Sequence, residues 1–160
     1  MTTSATQQPV HLAGSVLDRA RHVCAFFHSR DEEYRVLMPF ITEGFDHGDR
    51  AFHIVDPNHR LDHMERLRNG GIDTGSAEAS GQLTVLRWED AYLRGGHFDQ
   101  NAMLALIEEV LTAGPKQGFP LTRLVANMEW ALEDRPGVED IVEYETRLNY
   151  VLPKYDDAVT

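Results

Sequence analysis

From Arg21 onward, short apolar runs alternate with stretches whose apolar residues recur at helical spacing. The run His22-Val-Cys-Ala-Phe-Phe27 has the length and composition of a buried strand. Ser29 and Glu32 have the spacing of a capping box, so a helix opens there. Tyr34, Leu37, Met38, Ile41 and Phe45 then share one face. Pro39 is expected to bend this helix, and Gly44 and Gly48 are candidate stops. Arg50-Ala-Phe-His-Ile-Val55 predicts the second strand, with Asp56 placed to cap the next helix and Pro57 at its first position. Leu61, Met64 and Leu67 carry that helix to Gly70-Gly71. Leu83-Thr-Val-Leu-Arg-Trp88 predicts the third strand. Asp99 caps a long helix in which Met103, Leu106, Ile107, Val110 and Leu111 share a face, ended by Gly114-Pro115. Thr122-Arg-Leu-Val-Ala-Asn-Met128 predicts the fourth strand. Asp134 and Pro136 then start a last helix with Val138, Ile141, Val142, Leu148 and Leu152 as its stripe.

Strands joined by helices are βαβ crossovers, so the expected fold is α/β: a mostly parallel sheet with helices on both faces. Residues 1–20, rich in Thr, Ser and Gln with only a weak apolar turn at Val16–Leu17, are expected to be a flexible tail. Residues 21–160 form one domain, without repeats or low-complexity segments. Tyr155-Asp-Asp-Ala-Val-Thr160 reads as a turn into one more strand at the end of the sequence. That arrangement predicts an unpaired sheet edge, so either the chain is truncated at its C-terminus or a second copy in a homodimer or another partner covers the edge.

Composition adds exclusions. The 160 residues are 42% apolar and 26% charged, ordinary for one globular domain. A single cysteine rules out a disulfide framework and points to a reducing compartment. No apolar run has membrane-spanning length, and the polar N-terminus lacks a signal-peptide core, so a cytoplasmic location is expected. The formal net charge of −11, with no basic cluster, argues against direct nucleic-acid binding.

In an open parallel sheet, ligands bind beyond the carboxyl ends of the strands. The strand assignments place Phe27, His28, Asp56, Trp88, Glu89, Glu129 and Trp130 there. Aromatic walls with a few polar groups suit a small, partly apolar ligand. Asp56 serves equally as a helix cap, and Trp88 and Trp130 serve equally as core. Glu129 after an apolar strand is harder to explain structurally, because an unpaired carboxylate at a buried strand end is costly. His22 and Cys24 lie two apart on a strand, hence on one face, and join the candidate set.

Several chemistries lack their residues. No GxxxxGK followed by Ser or Thr occurs, the turn after the first strand has no glycine, and no GxGxxG follows a strand. Nucleotide cofactors are therefore not expected, and GxSxG of the α/β-hydrolases is absent too. His59 and His63 are four apart on a helix, but no Glu adjoins the first histidine, so the metalloprotease pattern fails and no metal is assigned. No nucleophile–base–orienter set is legible, so no catalytic residue is assigned and the protein is expected not to be an enzyme.

His22-Val-Cys-Ala-Phe-Phe-His28, Leu37-Met-Pro-Phe-Ile-Thr-Glu-Gly-Phe45, His53-Ile-Val-Asp-Pro57, Met128-Glu-Trp-Ala-Leu132 and Val142-Glu-Tyr-Glu-Thr-Arg-Leu-Asn-Tyr150 together resemble the MEDS family, the methanogen/methylotroph, DcmR sensory domains. The resemblance runs from about Arg21 to Asp157. It implies a RecA/KaiC-like fold without the phosphate-binding loop, and a sensory module of prokaryotic signalling that binds small hydrocarbon derivatives. Its histidine near the first strand maps to His22, and its acid after the fourth strand to Glu129. Relatives are fused to histidine kinases, DNA-binding domains or anti-sigma-factor kinase domains. The family continues past Asp157 with a further strand and helix. The expectation is therefore a ligand-binding sensor signalling through a kinase or transcription regulator. A protein-interaction module without ligand is the alternative, motivated by the open edge and by nine acids against three bases from Glu129 to Asp157.

Overall fold

The computed structural model describes residues 8–18 and 21–160. Its centre is a four-stranded, all-parallel sheet in the order β4-β3-β5-β6, built from β3 (Arg50–Val55), β4 (Leu83–Arg87), β5 (Thr122–Ala126) and β6 (Ala158–Val159). One face carries α1 (Arg30–His47), α2 (Arg60–Asn69) and α3 (Thr74–Ser80), over a core that includes Phe40, Ile41, Leu67 and Val125. The other carries α4 (Gln100–Lys116) and α5 (Ile141–Val151), over Ile54, Ile107, Leu124 and Trp130. This is the expected three-layer α/β sandwich.

Local signals set most helix starts. Ser29 Oγ accepts from Glu32 N, while Glu32 reaches back to His28 N, one residue before the cap. Asp99 accepts from the amides of Asn101 and Ala102 and opens α4. Asp56 accepts from Asn58 N at 2.9 Å and caps a short 3₁₀ turn, Pro57–His59, that leads into α2. Gly48, in the left-handed region at φ 76°, closes α1, which passes through Pro39 uninterrupted. Gly44 is not a stop: it lies inside α1, and a Cβ there would come 2.7 Å from Arg123 Cδ.

Four expectations are corrected. Residues 10–17 are not tail but an antiparallel hairpin, β1 (Val10–Leu12) and β2 (Ser15–Leu17), with Val10 buried against α1; residues 1–7, 19 and 20 lie outside the described residues. Its turn puts Ala13 (φ 50°) and Gly14 (φ 79°) in the left-handed region, where Ala is unusual, so the turn has no strong sequence signal. The strand expected at residues 22–27 is reduced to one parallel bridge, His22 to Val159, with Val23 N donating to Val159 O at 2.9 Å. Beyond that bridge no backbone hydrogen bond joins residues 24–28 to the sheet among the described residues, so this segment leaves the sheet. The same contact takes up the outer side of β6, so the edge expected to be open is partly filled. Finally, the last helix begins at Ile141 rather than at Asp134, because Gly137 (φ 88°) turns the chain while Pro136 O accepts from Phe98 N.

Candidate functional site

The sheet reverses its build direction between β3 and β5, since β4 lies on one side of that pair and β6 on the other. Two adjoining cavities open at the carboxyl ends of these strands, as the geometry of open parallel sheets requires. The larger is a groove of about 380 Å³ beneath the detached strap 24–28. Leu37, Ile107, Leu124, Leu148 and Val159 give it an apolar floor, and Phe27 hangs from the strap. One end is polar through His22 and Glu145, the other through Arg30, Glu33 and Glu129. Its volume falls within the range of small-molecule sites.

His22 is oriented by α5. Its Nδ1 lies 3.0 Å from Asn149 Oδ1 and its Nε2 lies 3.4 Å from Glu145 Oε2. The Glu145 contact raises the His22 pKa above its ordinary value, outweighing the opposing effect of burial. At the far end, Arg30 NH2 lies 3.6 Å from Glu129 Oε2. Burial pushes the Glu33 carboxyl up, Arg30 opposes that shift and Glu129 reinforces it.

Of the residues expected at the site, His22, Cys24, Phe27, His28 and Glu129 line this groove. Glu129 is half-exposed rather than buried, which removes the strain expected of it. Asp56 lies in the second cavity. Trp88 and Trp130 line neither and are core. Trp88 is buried with Nε1 donating to Asn127 O at 3.0 Å, and Trp130 is fully buried, its ring centroid 5.0 Å from both Tyr92 and Phe98. Trp88 follows β4 directly and Trp130 comes shortly after the end of β5, but their 3₁₀ turns rotate the indoles under the sheet towards α4 and α5. Glu89 is exposed on the surface.

The second cavity is a crevice of about 20 Å³ at the head of α1, bordered by Arg30, Glu33, Tyr34, Asp56, His59, His63 and Asn127 and by the apolar Leu37, Ile41, Ile54, Val55 and Val125. Behind it runs a hydrogen-bonded chain that the sequence reading missed. Tyr34 Oη lies 2.6 Å from His63 Nδ1, and His63 Nε2 lies 2.9 Å from His53 Nδ1. Burial drives His53 well below its usual range and His63 down to about 4, so both rings are neutral at pH 7. His63 thus pairs with His53, not with His59, and among the described residues no group of three potential ligands is placed to hold a metal. The signal was present: His63 shares the face of Met64 and Leu67, which is buried, whereas Leu61 is exposed. Asn127 was also missed. Its amide donates to Ile54 O, its carbonyl accepts from Trp88 and its side chain accepts from Glu129 N, so it pins the wall between the cavities.

The family model described as MEthanogen/methylotroph, DcmR Sensory domain matches residues 21–160. The chain belongs to the MEDS family. Its sheet and flanking helices are therefore those of a sensory domain. A curated relative, "Transcriptional repressor DcmR" of Methylorubrum extorquens, is 27% identical over 141 residues, 88% of this chain and 50% of that protein. The chain thus spans about half the length of the curated relative it matches. No solved structure matches it. Among its described residues, no helix is long and apolar enough to cross a membrane.

Proposed function

We propose that this MEDS domain is a non-enzymatic sensor that binds a small organic molecule in the groove and passes the signal to a transcription regulator or kinase. The groove carries the reading: an apolar floor, two polar ends and a roof that is a strap rather than a sheet strand. No backbone hydrogen bond holds Cys24 to Phe27 among the described residues, so a shift of the strap over the floor would break no sheet ladder. A ligand filling the groove would favour the strap position that contacts it and shift that population, which is what a partner reads. A regulatory partner fits the curated relative's description as a transcriptional repressor.

Cys24 is the one cysteine of the sequence, is exposed and sits on the strap. Its rate of reaction with a small thiol reagent therefore reports groove occupancy. Short aliphatic alcohols at millimolar concentration should slow Cys24 and raise the melting temperature, and Ala126→Leu, which fills part of the groove, should abolish both effects. Unchanged Cys24 reactivity across the series would overturn the reading. Glu129→Gln separates sensing from catalysis: a sensor loses affinity alone. The ligand-free interaction module keeps one observation, the 91% exposure of Phe26 and the 89% exposure of Leu132 at the rim.

A further inference from the structure

Two tyrosine side chains line the groove from within the core. Tyr92, in the loop after β4, is 3% exposed and Tyr144, on α5, is 1% exposed, yet both border the cavity. Among the described residues neither hydroxyl makes a well-formed hydrogen bond to a protein group; each feels only the other and the charge of Glu145. Nor are the two oxygens sealed in. The buried side-chain polar atoms without a partner are Arg50 Nε, His53 Nε2, Thr122 Oγ1 and Trp130 Nε1, and neither phenol is among them. Both hydroxyls therefore open on the groove. Their rings are clamped: Tyr92 lies 5.0 Å from Trp130, and Tyr144 meets Phe98 edge-on at 5.4 Å and Tyr92 at 6.2 Å. Neither hydroxyl can swing out to bulk solvent, so both are in position before a ligand arrives.

The surroundings select the ligand group. Burial, reinforced by Glu145, keeps both phenols protonated above their usual range, so each offers one donor and an acceptor lone pair. A hydroxyl at the wall of an apolar cavity is costly without a partner, and a pure hydrocarbon supplies none. A carboxylate would have to sit beside Glu145, which follows Tyr144 directly and already has His22 Nε2 as its neighbour at 3.4 Å. An uncharged oxygen satisfies the phenols without that repulsion, while its carbon skeleton rests on Ile107, Leu124 and Leu148.

We propose that Tyr92 and Tyr144 are the specificity-determining pair of the groove and select a small ligand through an uncharged carbonyl or alcohol oxygen, an inference that rests on the groove being a ligand site. The probes are cyclohexanone, toluene and cyclohexanecarboxylate, similar in size, titrated by calorimetry into the full chain at neutral pH. Cyclohexanone should bind about tenfold or more tightly than cyclohexanecarboxylate. Tyr144→Phe and Tyr92→Phe should each weaken cyclohexanone by about fivefold while leaving toluene within about twofold. Both variants should melt at or above the wild-type temperature, because the ring packing stays and only an unpartnered hydroxyl is lost. Cyclohexanone affinity unchanged in both variants, or a lower melting temperature with unchanged affinity, overturns the tyrosine pair and leaves the groove reading standing. Cyclohexanecarboxylate binding more tightly than cyclohexanone overturns the uncharged oxygen. Failure of all three probes to bind overturns the tyrosine pair and the groove reading together.

Discussion

Arg123 is the residue whose loss the fold should tolerate least. It lies on β5 with 2% exposure, beside Asp49 at 3%. Its Nε donates to Asp49 Oδ2 at 2.9 Å, and NH1 donates to Phe40 O at 2.8 Å and to Glu43 Oε2 at 2.7 Å. NH2 lies 3.3 Å from His47 Nδ1, and the guanidinium sits 5.0 Å from the centre of the Phe40 ring. Glu43 in turn holds the N-terminal hairpin, accepting from His11 N at 2.9 Å and contacting the His11 ring. One guanidinium thus ties β5, α1, the α1–β3 turn and the hairpin together. Burial pushes the Asp49 carboxyl up even with Arg123 beside it. Burial also acts upward on Glu43, but hydrogen bonds from His11 and Arg123 outweigh it and bring Glu43 down to about 2. Asp49, sealed in and with Arg123 as its ion-pair partner, is therefore the group that suffers when Arg123 goes. Arg123→Met keeps most of the volume and leaves Asp49 buried and uncompensated, which costs about 3–5 kcal/mol. Against a typical stability of about 5–15 kcal/mol, the variant should remain folded but marginal, with a melting temperature lower by on the order of 10 °C. Adding Asp49→Asn removes the stranded charge and should recover about 1–3 kcal/mol of that loss. Urea melts of the wild type, both single variants and the double variant give the coupling directly. A loss below about 1 kcal/mol for Arg123→Met, or a double variant no more stable than Arg123→Met, would refute the reasoning.

Gly44→Ala should destabilise, by about 1 kcal/mol or more, although Ala is the better helix former, because the new Cβ collides with Arg123 Cδ at 2.7 Å; a higher urea midpoint would show that Arg123 moves aside freely. Asp157 accepts from Thr122 N at the foot of β5, and burial pushes its carboxyl up to about 6. Its folded pKa lies above its unfolded one, so the stability it contributes is present below about pH 4 and is lost as pH rises through about 6. Asp157→Asn should therefore match the wild type near pH 4 and exceed it by about 1 kcal/mol at pH 8; a difference that does not change across that range, followed by denaturant midpoints, counts against the shift.

Local rules made much of this molecule legible in its sequence. A capping side chain acts on amides two or three residues away, so Ser29, Asp56 and Asp99 marked their turns without help from the rest of the chain. The runs at 50–55 and 122–126 are buried on both faces and the edge run at 83–87 is half-buried, which favours hydrophobic continuity and a parallel, helix-covered sheet. The α/β class and the strand-end location of the cavities followed from that alternation. Residues whose fate depends on a distant partner were not legible. The run at 22–27 is apolar enough for a strand, but pairing requires a neighbour, and β6 supplies one only as far as His22 and Val23. The hairpin at 10–17 is held by burial of Val10 and by Glu43, thirty-two residues from His11. Trp88 and Trp130 were placed at the right strand ends, yet the rotation of two 3₁₀ turns put their rings in the core. His53 and His63 became partners because β3 and α2 pack face to face, and burial then made them neutral. Side-chain direction at a strand end, and the pairing of polar groups across layers, are set by packing between elements far apart in sequence, which periodicity does not encode.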